Sequence, residues 1–199
     1  MVVGDIADRG WSSRPDWLPV PLVAALAEEA RALRAAGAFR AAGVGTGRRQ
    51  APRLRGDQIL WLDPTAPSAA QRAVLDGLEV LRLELNRECL LGLFELEAHF
   101  AAYAPGAGYP THVDRFRDDD SRVLSIALYL NADWRVEDGG ALRLYLEAAG
   151  REPYADIAPV GGTLVAFLSE RFPHEVLPAR RERLSLTGWF RRRGLNAQG

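Results

Sequence analysis

From residue 93 onward the chain breaks into short runs with a period of two, each closed by a glycine or proline turn. In 93–103, Phe94, Leu96, Ala98 and Phe100 alternate with Glu95, Glu97 and His99. Similar runs follow at 109–114, 122–131, 141–146, 163–168 and 184–190. Successive side chains of a strand point to opposite faces, so such runs read as half-buried strands. Many short strands need a second layer to cover their apolar faces. Two helical patterns precede them, which predicts a mostly β, α+β chain. The expected core is a double-stranded β-helix, or jelly-roll, with two to three helices packed on one sheet.

The helical half is legible from its spacing. Over 20–36, Leu22, Val23, Leu26, Ala30 and Leu33 recur on one helical face, and Gly37 supplies the stop. Ser68-Ala-Ala-Gln71 is a capping box that opens a helix to about Cys89, with Val74, Leu78, Leu81 and Leu85 as its core stripe. Between them, 57–62 reads as a strand with Ile59 and Trp61 on one face. Segment 43–55 carries three glycines, one proline and four arginines without periodicity. It reads as a loop, either a solvated connection or a basic finger beside a macromolecular substrate. In the lead-in 1–19, Val2, Val3 and Ile6 read as a first edge strand and 14–19 as a turn. Asp138-Gly139-Gly140 reads as a hairpin signal. His99 lies on the polar face of its run and is expected to face solvent.

One domain over 1–199 is expected: lead-in 1–19, helical support 20–90 with loop 43–55, core 91–190 and a basic tail 191–199. A net charge of −1 suggests no bulk attraction to nucleic acid or to an anionic membrane surface. No apolar run is long enough to cross a bilayer, and no signal peptide is read. The single cysteine, Cys89, cannot form an internal disulfide, which suits the cytoplasm. Asp118-Asp119-Asp120 lacks the spacing and glycine of a calcium loop and reads as a solvated turn. All 25 basic residues are arginine, so lysine Schiff-base chemistry is excluded and any internal carboxylate anchor is arginine.

The chemistry concentrates in two segments. In Tyr109-Pro-Thr-His112-Val-Asp114, His112 and Asp114 stand two apart, on one face of a strand. Phe172-Pro-His174 adds a second histidine after the apolar run 163–168. Two imidazoles and one carboxylate form the donor set of a facial triad, which binds non-heme Fe(II) and leaves open positions for cosubstrate and oxygen. His-x-Asp alone is a weak signal; Arg183 strengthens it. A buried arginine needs a carboxylate partner or another strong acceptor, and a dicarboxylate cosubstrate would accept its fork bidentately. Tyr129 and Thr187 could add hydroxyl donors to that carboxylate.

With these residues in place, the chain resembles the 2-oxoglutarate- and Fe(II)-dependent prolyl hydroxylases, in the branch of the hypoxia-inducible-factor enzymes and their bacterial relatives. The resemblance spans residues 22–190. It rests on Glu29-Ala-Arg-Ala-Leu33, Gly37-Ala-Phe39, Arg55-Gly-Asp-Gln-Ile-Leu-Trp61 and Tyr103-Ala-Pro-Gly-Ala-Gly-Tyr109-Pro-Thr-His112-Val-Asp114. It continues through Tyr129-Leu-Asn-Ala-Asp-Trp134, Gly139-Gly-Ala-Leu-Arg143, Asp156-Ile-Ala-Pro159, Pro173-His-Glu-Val-Leu-Pro-Ala179, Arg183 and Thr187-Gly-Trp189.

The resemblance implies that His112, Asp114 and His174 hold iron and that Arg183, Tyr129 and Thr187 bind 2-oxoglutarate. It implies that Tyr103 stands near the cosubstrate and the target residue, and that Trp189 forms an aromatic wall. Arg122 and Asp57 would steady the substrate side. The implied reaction splits 2-oxoglutarate with O2 into succinate and carbon dioxide and hydroxylates prolyl C4, with ascorbate as reductant. The implied partner is a monomeric enzyme's protein substrate, contacted by loop 43–55, in a cytoplasmic and oxygen-responsive setting. For bacterial relatives a translation elongation factor is the suggested target. Loop 43–55 looks shorter than in the animal enzymes, and no C-terminal helix follows the last strand, so substrate identity transfers least. Two other readings stand beside this one: a hydroxylase of a free amino acid or other small molecule, and a non-catalytic jelly-roll that senses a metal or ligand.

Overall fold

The computed structural model describes residues 1–44, 49–50, 56–114, 121–147 and 152–193. Segment 43–55 lies largely outside these residues. Asp118-Asp119-Asp120 and the end of the tail lie wholly outside them.

The elements run α1 (Val2–Arg9), β1 (Trp11–Arg14), α2 (Val20–Ala35), β2 (Arg40–Ala41), β3 (Gly43–Val44), β4 (Arg49–Gln50) and β5 (Asp57–Trp61). They continue as α3 (Ala69–Cys89), β6 (Glu95–Tyr103), β7 (Tyr109–His112), β8 (Arg122–Tyr129) and β9 (Leu142–Tyr145). The last four are β10 (Tyr154–Ile157), β11 (Leu164–Leu168), β12 (His174–Val176) and β13 (Arg183–Arg191). Among the described residues, seven strands form a major sheet in the order β1-β11-β8-β13-β6-β5-β2, four form a minor sheet, β10-β9-β12-β7, and β3 pairs with β4 alone. The major and minor sheets, both antiparallel and with helices on the major one, make the fold a jelly-roll.

Strand parity sorts the major sheet into two buried faces. On one, Phe100, Leu124, Ile126, Leu128, Leu164, Leu186 and Phe190 pack with Leu26, Ala30, Val74, Leu78 and Leu85 of α2 and α3. On the other, Ala101, Tyr103, Tyr129, Val165 and Phe167 meet Leu142, Leu144, Phe172 and Val176 from the minor-sheet side. Each fully buried large side chain contributes on the order of 1.5–3 kcal/mol through apolar burial.

Of the capping box that the sequence implies, the Ser68 half forms and the Gln71 half does not. Ser68 caps α3 by accepting from the Gln71 amide at 3.1 Å. Its hydroxyl also donates to Glu29 at 2.7 Å, and the Gln71 side-chain amide donates to the same carboxylate at 2.6 Å. Gln71 therefore ties α3 to α2 instead of reaching back to its own cap. Helix α2 ends at Ala35 with Ala36 as its C-cap, followed by Gly37 with φ of +76°.

Three local readings need correction. Val2 and Ile6 lie on a helix, not an edge strand: their spacing of four puts them on one buried face, and Gly10 at φ +83° closes it. The edge strand comes next, as β1 pairing with β11. The Asp138-Gly139-Gly140 segment makes no hairpin, because β8 and β9 belong to different sheets. Asp138 instead folds back onto the Arg135 amide at 2.9 Å, ending a single 3-10 turn, Val136–Asp138. His99 is wholly buried. The polar face of β6 points into the space between the two sheets, and segment 20–90 contributes β5 and β2 to the major sheet.

Candidate active site

Strand pairing brings the two halves of the motif together. His112 ends β7, His174 begins β12, and the two are direct cross-strand partners, with ring centroids 4.2 Å apart. Asp114 follows two residues after His112. Its Oδ1 lies 3.5 Å from His112 Nε2 and its Oδ2 lies 3.6 Å from His174 Nε2. One ligand atom from each of the three residues falls within 4.8 Å of the others, a spacing that one ion can bridge.

The backbone fixes how the imidazoles face this point. His112 Nδ1 lies 2.8 Å from the Pro110 carbonyl and His174 Nδ1 lies 3.0 Å from the Phe172 carbonyl. A carbonyl only accepts, so each Nδ1 carries the proton and each Nε2 keeps its lone pair for a metal. Burial lowers the pKa of His174 to about 4, with Asp114 opposing and His112 reinforcing the shift, so its ring is neutral at pH 7. For Asp114, burial alone would raise the pKa. His174, His112 and the Ser125 hydroxyl outweigh it and hold the carboxyl well below the usual carboxylate range. Tyr109 stacks on His112 at 3.7 Å and Phe167 meets His174 edge-on at 4.7 Å, which restricts both rings.

A cavity between the sheets runs from these three residues to Arg183 and is also lined by Tyr103, Ser185, Thr187, Trp189 and His99. Arg183 is only 3% exposed. Its Nε donates to the Gly140 carbonyl at 3.0 Å, and it makes no salt bridge with any described residue. Its guanidinium lies 5.2 Å from the Tyr103 ring and 5.0 Å from the Tyr129 ring. Tyr129 Oη and Trp189 Nε1 are buried without a hydrogen-bond partner among the described residues. Tyr129 is not among the residues that line the cavity, whereas Trp189 is. A permanent cation and an orphaned indole N–H on one cavity wall are costly alone and fit an anionic ligand with several acceptor oxygens. The Gly139–Gly140 turn makes this possible. Gly140 has φ of +69°, and a Cβ there would sit 2.8 Å from the Ala179 side chain and 3.4 Å from Arg183 Cδ.

The other residues singled out in the sequence fall into place differently. Thr187 lies two residues along β13 from Ser185, their hydroxyls 3.2 Å apart. Arg122 does not line the cavity: it braces the Trp189 ring at 3.5 Å while its guanidinium pairs with Glu97 at 2.8 Å. Asp57 is buried at the start of β5, opposite Tyr103. Sequence reasoning missed Tyr109, Ser125, Ser185 and His99 as cavity residues. The signal was their phase: Ser125 lies four residues before Tyr129 on β8, and Ser185 lies between Arg183 and Thr187 on β13, all on the cavity face.

Comparison with known proteins agrees with this geometry. The family model of the 2OG-Fe(II) oxygenase superfamily matches residues 98–191. The chain is similar to a crystal structure of a Pseudomonas putida prolyl-4-hydroxylase, at 51% identity and a TM-score of 0.87, covering 97% of this chain and 98% of that one. It is also similar to a Trichoplax adhaerens prolyl hydroxylase, solved with a hypoxia-inducible-factor oxygen degradation domain peptide fragment. That match has 27% identity and a TM-score of 0.84, over 96% of this chain and 87% of the other. Egl nine homolog 1 of Mus musculus is 35% identical over 147 residues, 69% of this chain. The chain spans about a third of that relative's length, 35%.

Proposed function

Because this chain belongs to the 2OG-Fe(II) oxygenase superfamily, with prolyl hydroxylases as its relatives, we propose that it is a protein prolyl 4-hydroxylase. The observation that carries the reading is one cavity holding a 2-His-1-carboxylate donor set at one end and an acid-free buried arginine at the other. His112 Nε2, His174 Nε2 and Asp114 would hold Fe(II). Arg183, with Tyr129 and Thr187, would take the distal carboxylate of 2-oxoglutarate. When bound, Fe(II), 2-oxoglutarate and O2 supply the oxidising chemistry that hydroxylates prolyl C4, with succinate and carbon dioxide as coproducts and ascorbate as reductant.

The protein's own residues position and exclude. The carbonyls of Pro110 and Phe172 hold both imidazoles in the tautomer that offers Nε2. Arg183, fixed through Gly140, presents its remaining donors to a carboxylate. Tyr103 and Trp189 wall the space where a prolyl ring would enter, and Arg122 keeps Trp189 in place through its stack and Glu97. Phe167, Val176 and Leu142 keep water from that end of the cavity. The arginines of 43–55 are the proposed contact for a protein substrate. A translation elongation factor is the candidate target, in the cytoplasm, with the enzyme acting as a monomer and sensing oxygen.

The test is mass spectrometry of host lysate incubated with the protein, Fe(II), ascorbate and 2-oxoglutarate, with Asp114→Ala as control. One added oxygen on a proline of one protein is the expected result. Succinate without any oxidised protein would move the assignment to a small-molecule hydroxylase. A metal-loaded protein that forms no succinate would make it a non-catalytic binder.

A further inference from the structure

We propose that Ser169 and Ser125 form a directed hydrogen-bond relay that commits one oxygen of Asp114. The relay holds this carboxylate to a single metal-facing oxygen and keeps a coordination position free for the cosubstrate. The inference rests on the metal-site reading above.

The bonds are short and lie away from the outer surface. Ser125 Oγ lies 2.7 Å from Asp114 Oδ2, and Ser169 Oγ lies 2.8 Å from Ser125 Oγ. Ser125 is 2% exposed, on the cavity wall, and Ser169 0%, so both hydroxyls are shielded from bulk solvent. The direction of both bonds follows from the chemistry of the partners. A carboxylate at neutral pH only accepts, so the single Ser125 proton goes to Asp114 Oδ2. Ser125 then has nothing left to donate, and the bond to Ser169 must be donated by Ser169. Each hydroxyl polarises the next, and the terminal bond is charge-assisted.

Two features give the relay a purpose beyond filling space. Both carboxylate oxygens face a ligand nitrogen, Oδ1 at 3.5 Å from His112 Nε2 and Oδ2 at 3.6 Å from His174 Nε2, and only Oδ2 accepts the Ser125 proton, which leaves Oδ1 the oxygen with its lone pairs open to an ion. Asp114 follows β7 on the minor-sheet side, whereas Ser125 sits on β8 of the major sheet, so the bond also pins one sheet's ligand to the other. Ser169 follows β11 directly, its amide donating to the Val123 carbonyl at 3.0 Å, and it opens the turn that leads to His174. One hydrogen-bonded string therefore couples the carboxylate ligand to the approach of the second histidine. A carboxylate released from Ser125 can turn both oxygens to the ion and occupy a site that a keto acid needs.

The experiment titrates Mn(II) under anaerobic conditions, then 2-oxoglutarate at saturating Mn(II), into the wild type, Ser125→Ala, Ser125→Thr and Ser169→Ala. Co(II) absorption spectra and melting of the metal-free proteins accompany the titrations. Loss of a residue behind a metal ligand typically costs about 10–100-fold in metal affinity. Ser125→Ala should lose that much, weaken 2-oxoglutarate at saturating metal and alter the Co(II) spectrum. Ser169→Ala should lose less in the same direction, and Ser125→Thr should stay within about threefold of wild type because it keeps the hydroxyl. Unchanged metal and cosubstrate affinities in Ser125→Ala would overturn the relay alone. So would a Thr variant as poor as the Ala variant, or losses matched by an equal drop in metal-free melting temperature. A wild type that binds no divalent metal would overturn the metal-site reading and the relay together.

Discussion

Replacing Arg183 with methionine separates the two roles a buried arginine can play. In the free protein its charge has no acidic partner among the described residues, only the Gly140 carbonyl at 3.0 Å. Removing an unpaired buried charge is neutral to stabilising, while orphaning the Gly140 carbonyl costs about 1–3 kcal/mol. The two effects oppose each other, so unliganded Arg183→Met should melt within a few degrees of wild type. With cosubstrate the balance changes, because a carboxylate left in the cavity without its cation costs about 3–5 kcal/mol, at least a hundredfold in affinity. At a hundredfold excess over Kd, 2-oxoglutarate stabilises the wild type by about 2.7 kcal/mol, or roughly 5–11 °C for a chain of this size. At the same concentration the variant would gain about 0.4 kcal/mol, roughly 1–2 °C. Thermal melts with Mn(II) present, with and without 2-oxoglutarate, read this out. A full wild-type shift in Arg183→Met would remove Arg183 from the cosubstrate site. A variant that melts far below wild type without ligand would mean that the arginine serves the fold instead.

Three further outcomes follow from the same structure. His174→Ala should abolish succinate formation and weaken metal binding, since it deletes one of three donor side chains; near-normal turnover with metal still bound would contradict the triad. Ser68→Ala removes both the α3 cap and the bond to Glu29, and should cost about 1–2 kcal/mol in urea unfolding while leaving turnover at 25 °C unchanged. Phe100→Ala, at a wholly buried site beneath the helices, should cost about 3–5 kcal/mol, and a loss under 1 kcal/mol would mean that the helix-facing core collapses around the gap.

Wherever one period governed a segment, the sequence carried the structure. The stripe Val74, Leu78, Leu81, Leu85 and the Ser68 cap place α3 because both depend on local geometry alone. The jelly-roll was legible for a similar reason: period-two runs broken by glycine turns leave few other ways to bury one face. His99 shows where this logic stops. A polar face is taken for a wet one, yet β6 is covered on both sides, by helices and by the minor sheet, and its polar face supplies the cavity wall. Buried in the Trp61–His99–Trp189 cluster, His99 lies 4.7 Å from Trp61 and 5.5 Å from Trp189. The Asp138-Gly139-Gly140 turn failed for a different reason. Two glycines permit a left-handed backbone but do not say which strands they join, and here they cross between sheets and aim Arg183. Ser125 and Ser169 were invisible because a serine's role depends on a partner 11 or 44 residues away.

The central proposal, oxygen insertion at a prolyl residue using the cavity between His112, Asp114, His174 and Arg183, is tested by turnover under isotopically labelled O2. Substrate protein, wild type and Asp114→Ala are run in parallel with 2-oxoglutarate, and succinate is counted against label in the protein. The expected result is one labelled oxygen on C4 of a proline for each succinate formed, and neither product in the variant. Succinate without label in the protein, or label that survives in Asp114→Ala, would contradict it.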